Sequence, residues 1–163
     1  MTLICLMSDT HTYIHPKILD FIRDCDEIWH AGDIGNLETA NELEKIKPLK
    51  AVYGNIDGQS VRLSFPEIQI FSCEQVKVLM IHIGGYPGRY EKKAIDLIRA
   101  EKPKLFISGH SHILKVIYDD KNRLLHINPG SAGKYGLHNI ITAVRFVIDS
   151  DRIKDLEICE VDR

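Results

Sequence analysis

Five short segments of the sequence set a carboxylate, amide or imidazole in or beside a polar or glycine-bearing turn: Asp9-Thr10-His11, Gly32-Asp33, Gly54-Asn55, His82 and Gly109-His110-Ser111-His112. Carboxylate and imidazole suit Mn, Fe, Zn, Ni or Co, and thiolate is absent from the set. The seven candidate donors are Asp9, His11, Asp33, Asn55, His82, His110 and His112. They exceed what one tetrahedral ion takes and suit two ions that share a bridging ligand. In an extended chain residues i and i+2 point the same way, so Asp9 and His11 are expected to face one point, and His110 and His112 likewise. Glycine beside Asp33, Asn55 and His110 allows tight turns and close approach. Charge counting adds a purpose: two divalent ions bring four positive charges, Asp9 and Asp33 offset two, and a bridging hydroxide offsets one. The single positive charge left over matches a phosphodiester.

Each segment follows an apolar run that must hold it in place. Residues 3–7, 27–30, 49–53, 76–82 and 105–108 read as strands. Between the first three, Pro16 opens a helix with Ile18, Leu19 and Ile22 on one face, and Leu37, Ala40, Leu43 and Ile46 repeat at helical spacing. The first third therefore reads β-α-β-α-β, the pattern of parallel strands with helical crossovers, where ligands gather at the strands' carboxyl ends. Residues 68–72 read as a strand neighbouring 76–82, and residues 90–100 read as an amphipathic helix. The rest is β-rich, with strands expected at 114–118, 124–127, 140–148 and 153–161 and a hairpin turn at 119–122. No repeat, linker or low-complexity segment divides the chain, so one α/β domain over residues 1–163 is expected.

Composition narrows the class further. The 163 residues are 44% hydrophobic and 27% charged with a net charge of −2, a globular profile without the basic stripe of a nucleic-acid binder. No apolar run nears the roughly 18 residues of a membrane span, and the apolar start lacks the features of a signal peptide. The four cysteines stand apart with no CxxC pair, which fits reduced thiols in the cytoplasm.

The order D-x-H, G-D, G-N, H, G-H-x-H over Asp9 to His112 resembles the calcineurin-like metallophosphoesterase superfamily, and Gly54-Asn55-Ile56-Asp57 resembles its small prokaryotic phosphodiesterase branch. The resemblance implies a four-layer α/β/β/α sandwich of two mixed sheets flanked by helices, with the metal site at the strand carboxyl ends. It implies that Asp9, His11 and His112 hold one metal, that Asn55, His82 and His110 hold the other, and that Asp33 bridges. It also implies hydrolysis of phosphodiesters by in-line attack of a metal-bridging hydroxide, with Asn55 and His82 in the catalytic set. Manganese is the expected metal, though nickel, iron, zinc, cobalt and magnesium accept the same ligands. Two departures stand out. Many members carry a histidine after Gly-Asn that can protonate the leaving group, and this chain has Ile56. Ile83 separates His82 from Gly84, where His-Gly is commoner.

Several neighbours have two readings. Asp57 is a turn residue or orients its neighbours within the catalytic set. Tyr86 and Arg89, in the Gly-rich segment 83–90, are candidate substrate contacts; that segment lacks the Lys-Ser/Thr of a phosphate-binding P-loop. His30 reads as a structural histidine supporting the ligands, and His15, His126 and His138 as surface or structural. Asn128-Pro129-Gly130-Ser131 is a tight turn which the resemblance sets beside the cleft. Gly109-His110-Ser111-His112 lacks the second glycine of a serine hydrolase elbow. The expected partner is a small phosphoester, with no membrane or stable nucleic-acid binding; a homodimer is compatible with the sequence. The rival enzymes are a phosphomonoesterase or nucleotide pyrophosphatase. The rival of another class is a protein-binding scaffold like a retromer subunit, which resembles this fold with a degraded metal site.

Overall fold

The computed structural model describes residues 1–163. Its strands are β1 (Thr2–Met7), β2 (Glu27–His30), β3 (Leu49–Ala51), β4 (Ile68–Cys73), β5 (Val76–Ile81), β6 (Gly85–Tyr86), β7 (Arg89–Tyr90), β8 (Leu105–Ile107), β9 (Leu114–Asp119), β10 (Leu124–Pro129), β11 (Ile140–Asp149) and β12 (Arg152–Asp162). Its helices are α1 (Pro16–Ile22), α2 (Leu37–Ile46), α3 (Gln59–Ser64) and α4 (Lys92–Glu101). One five-stranded sheet has the order β12-β11-β1-β2-β3, the other β4-β5-β8-β10-β9. β1, β2 and β3 run parallel, as do β5, β8 and β10; their partners at the sheet margins are antiparallel.

Side-chain alternation produces the layers. In β1, Ile4 and Leu6 enter the core between the sheets with Trp29, Met80, Ile107, Val144 and Phe146, while Cys5 and Met7 pack outward against Ile18 and Ile22 of α1 and Leu43 of α2. In β5, Val78 and Met80 point inward while Leu79 and Ile81 meet Ala94 and Ile98 of α4. Strands buried on both faces need continuous apolar runs, which is what residues 3–7 and 78–81 supply. The result is the expected α/β/β/α sandwich, with helices covering both outer faces.

The differences from the expected elements are local. Helix α3 buries only Val61, so it leaves no apolar periodicity to read. Tyr90 pairs with Gly85 in the small β6–β7 hairpin and donates its hydroxyl to Asp119 Oδ2 (2.7 Å), so α4 starts at Lys92 rather than at residue 90. Strand β3 ends at Ala51, although Val52 N–H still reaches His30 O at 3.1 Å.

Candidate metal centre

The five segments leave β1, β2, β3, β5 and β8 at their carboxyl ends and meet across the gap between the sheets. They form two groups of donors, Asp9 with His11 and His112, and Asp33 with His82 and His110; within each group the ligand atoms lie within 4.8 Å of one another. His112 Nε2 is 3.2 Å from Asp9 Oδ1. Asp33 Oδ2 lies 3.2 Å from His82 Nε2 and 3.6 Å from His11 Nε2, so one oxygen reaches into both groups. Asn55 Oδ1 joins the second group, 3.0 Å from His82 Nε2 and 3.1 Å from His110 Nδ1.

Alternation along extended strands is not what aims these side chains. Asp9, His11, Asp33, His110 and His112 all have positive φ, between 45° and 70°. They sit in left-handed turns past the strand ends, a conformation uncommon outside glycine that must be held by its surroundings. His110 and His112 therefore do not share a focus, since one belongs to each group. Close approach makes Gly54 and Gly109 necessary: a Cβ at Gly54 would collide with Asp33 Oδ1, and one at Gly109 with Ser8 Oγ.

A buried hydrogen-bond frame holds the turns. His30, which is fully buried, accepts from Gly32 N–H through Nδ1 (3.1 Å) and pairs with Thr10 Oγ through Nε2 (3.0 Å), and Thr10 Oγ donates to Ile34 O. Ser8 Oγ and His110 N–H both donate to Asp9 Oδ2, at 2.6 and 3.1 Å. Asp57 accepts from Gly54 N–H (2.8 Å), Gly35 N–H (2.8 Å) and Ile34 N–H (3.2 Å). Both its oxygens are thereby engaged and it is 3% exposed, so it clamps two ligand turns instead of facing substrate. Ile56, which stands where many family members carry a histidine, contributes its backbone: its N–H donates to Asp33 Oδ1 at 3.0 Å. Asn128 Nδ2 donates to Gly109 O and Ser131 Oγ to Asp9 O, so residues 128–131 do shape the cleft.

His82 lies in the middle of the cluster. It is 3% exposed, and its Nδ1–H donates to Ala31 O at 2.7 Å, which leaves Nε2 toward the donors. Burial disfavours its charged form, but the hydrogen bond to Asp33 and the charges of Asp9 and Asp33 outweigh burial and raise its pKa. Burial likewise pushes the Asp33 carboxyl upward, yet the hydrogen bond and charge of His82 with the Ile56 N–H bring it below the ordinary value. Asp9 Oδ1 and His11 Nε2 are buried without a hydrogen-bond partner. Orphaned acceptors beside two carboxylates are what a bound cation satisfies, so the residues present fit divalent metal.

Two further aromatic side chains flank the donors, Tyr135, which the sequence does not single out, and His138, whose loop is expected to border the cleft. Exposed Tyr135 stacks on His11 (ring centroids 5.0 Å) and His138 stands edge-on to His112 (5.1 Å). No signal in the sequence announces the position of Tyr135. Tyr86 and Arg89 lie on the β6–β7 hairpin and line a cavity that His110 borders.

The sequence matches the description "Calcineurin-like phosphoesterase superfamily domain" over residues 2–151. A probable metallophosphoesterase of Methanothermobacter thermautotrophicus is 31% identical over 135 residues, 79% of this chain and 76% of that protein. Among solved structures, a novel archaeal phosphodiesterase superposes with a TM-score of 0.73 at 21% identity, covering 99% of both chains. Vps29 complexed with zinc from Entamoeba histolytica superposes with a TM-score of 0.75 at 17% identity, covering 98% of both chains. Such low identities speak to the fold alone. The family match and the metallophosphoesterase relative reach further: this chain belongs to the calcineurin-like phosphoesterase superfamily, a family of metal-dependent phosphoester hydrolases.

Proposed function

We propose that the protein is a phosphodiesterase that works with two divalent ions, manganese in use. The observation that carries the reading is the position of Asp33 Oδ2, within 3.6 Å of a histidine nitrogen from each donor group. In this reading Asp9, His11 and His112 hold one ion, Asn55, His82 and His110 hold the other, and Asp33 bridges. When bound, the ions supply Lewis acidity and a nucleophile drawn from water. The chain's own residues set the geometry: Asp57 and His30 fix the turns and Ala31 O fixes the His82 tautomer; in this reading the Asn55 amide N–H donates to a phosphoryl oxygen. The charge left after Asp9 and Asp33 supports an ester of single negative charge over a monoester. No imidazole follows Asn55, so esters with good leaving groups are the expected substrates. The archaeal phosphodiesterase of like fold is consistent with this reading.

The rival scaffold reading draws on the likeness to Vps29. The set of seven candidate donors, with Asp33 Oδ2 reaching both groups, favours the enzyme reading. One experiment separates them: metal-stripped protein receives Mn²⁺, Ni²⁺, Zn²⁺ or Mg²⁺ in turn and is assayed with bis(p-nitrophenyl) phosphate and p-nitrophenyl phosphate. Faster turnover of the diester supports the proposal. A faster monoester reassigns the site to phosphomonoesters, and no turnover by folded protein that binds metal favours the scaffold.

A further inference from the structure

A cavity of about 530 Å³ borders His110, bounded by the β6–β7 hairpin and by strands β9 and β10. It has the size of a nucleotide-scale ligand site. Besides His110, its chemistry comes from Tyr86, Arg89, Glu91, Lys115 and His126. Two cations therefore face one carboxylate. The ion pairs formed elsewhere in the chain leave Arg89 and Lys115 unpaired. Lys115 Nζ stands 3.5 Å from the centroid of the Tyr86 ring, a contact that fixes the ammonium without neutralising it.

His126 adds a different group. Its ring is fully buried, stacks on Phe106 (5.2 Å) and donates from Nδ1 to Phe106 O at 3.2 Å. Burial lowers its pKa to about 4, so it is neutral at pH 7. Its Nε2 is then an acceptor, and it is buried without a partner beside the cavity.

We propose that this cavity takes a second phosphate carried by the organic part of the substrate, held by Arg89 and Lys115, with the buried His126 ring as part of its floor. The guanidinium fork and the pinned ammonium match a tetrahedral oxyanion, and the border with His110 places it next to the proposed metals. The substrate class is thus a phosphodiester of a phosphorylated sugar or nucleotide. This inference rests on the phosphodiesterase reading of the metal centre.

The test compares p-nitrophenyl thymidine 5′-phosphate with the same ester bearing a 3′-phosphate. The same bond breaks in both: water adds to phosphorus and nitrophenolate leaves. The expected kcat/KM ratio is about tenfold in favour of the 3′-phosphorylated ester, carried by KM, the scale of one charge-assisted contact. Lys115→Met, which keeps the chain length over Tyr86, should lower the ratio, and Arg89→Gln added to it should bring the ratio close to one. Hydrolysis of both esters with equal KM by the unaltered protein would overturn the inference and leave the phosphodiesterase reading intact. Hydrolysis of neither would mark failure of that reading instead. Calorimetric titration of the full chain then decides the cavity by itself. Tighter binding of thymidine 3′,5′-bisphosphate than of thymidine 5′-monophosphate, reduced in Lys115→Met and lost in the Arg89→Gln/Lys115→Met double variant, supports it, and equal affinities overturn it.

Discussion

Acid should loosen the ligand turns through His30. In the folded protein its Nδ1 accepts from Gly32 N–H, which requires an unprotonated nitrogen, and burial holds its pKa at about 4 against an ordinary 6.5. The folded pKa is depressed, so the unfolded chain takes up this proton first. Stability is therefore complete above pH 6.5 and falls as pH drops from 6.5 toward 4. At about 1.4 kcal/mol per pKa unit, His30 accounts for a loss of about 2 to 3 kcal/mol between pH 7.5 and 4.5. Urea unfolding of the unaltered protein and His30→Gln at both pH values, with chelator present, isolates the effect. His30→Gln should be the less stable protein at pH 7.5. Its further loss on acidification should be smaller by about 2 to 3 kcal/mol, on the order of 1 M in urea midpoint. If both proteins lose the same stability in acid, His30 is not the group that titrates and the reasoning fails.

Asp33→Asn removes the charge shared by the two donor groups; diester hydrolysis should fall by roughly a hundredfold or more and bound metal should drop below two equivalents in elemental analysis. Unchanged turnover would refute the bridging role. Asp57→Asn strands part of a three-donor clamp and should cost about 2 kcal/mol, seen as a Tm lower by roughly 4 to 8 °C. Gly54→Ala places a methyl against Asp33 Oδ1 and should weaken metal binding in a calorimetric titration while far-ultraviolet circular dichroism stays native; unaltered affinity would show that the turn yields.

Particular residues show how far the sequence reaches. Apolar runs such as 3–7 and 105–108 can be read as doubly buried strands because burial on both faces leaves no polar alternation, and the parallel β-α-β order then sends their carboxyl ends to one edge. The donor types also belong to the sequence, since the chemistry of carboxylate, amide and imidazole needs no fold to be recognised. Helix α3 and the β6–β7 hairpin escape because neither buries enough apolar surface to leave a period. Their chain positions cannot show that Lys115 reaches Tyr86, that Tyr135 covers His11, or that His126 is buried rather than at the surface. His110 and His112 are the sharpest case. Two residues apart, they read as a pair with one focus, yet left-handed turns send them to different donor groups. The sequence by itself determined most of the strands and the list of candidate donors, because both follow from side-chain type and local period, while the four layers were implied by the family resemblance. Only the tertiary structure decided which candidate ligands stand together and what lines the cavity beside them, because left-handed turns held by His30 and Asp57 depend on hydrogen bonds between segments twenty or more residues apart.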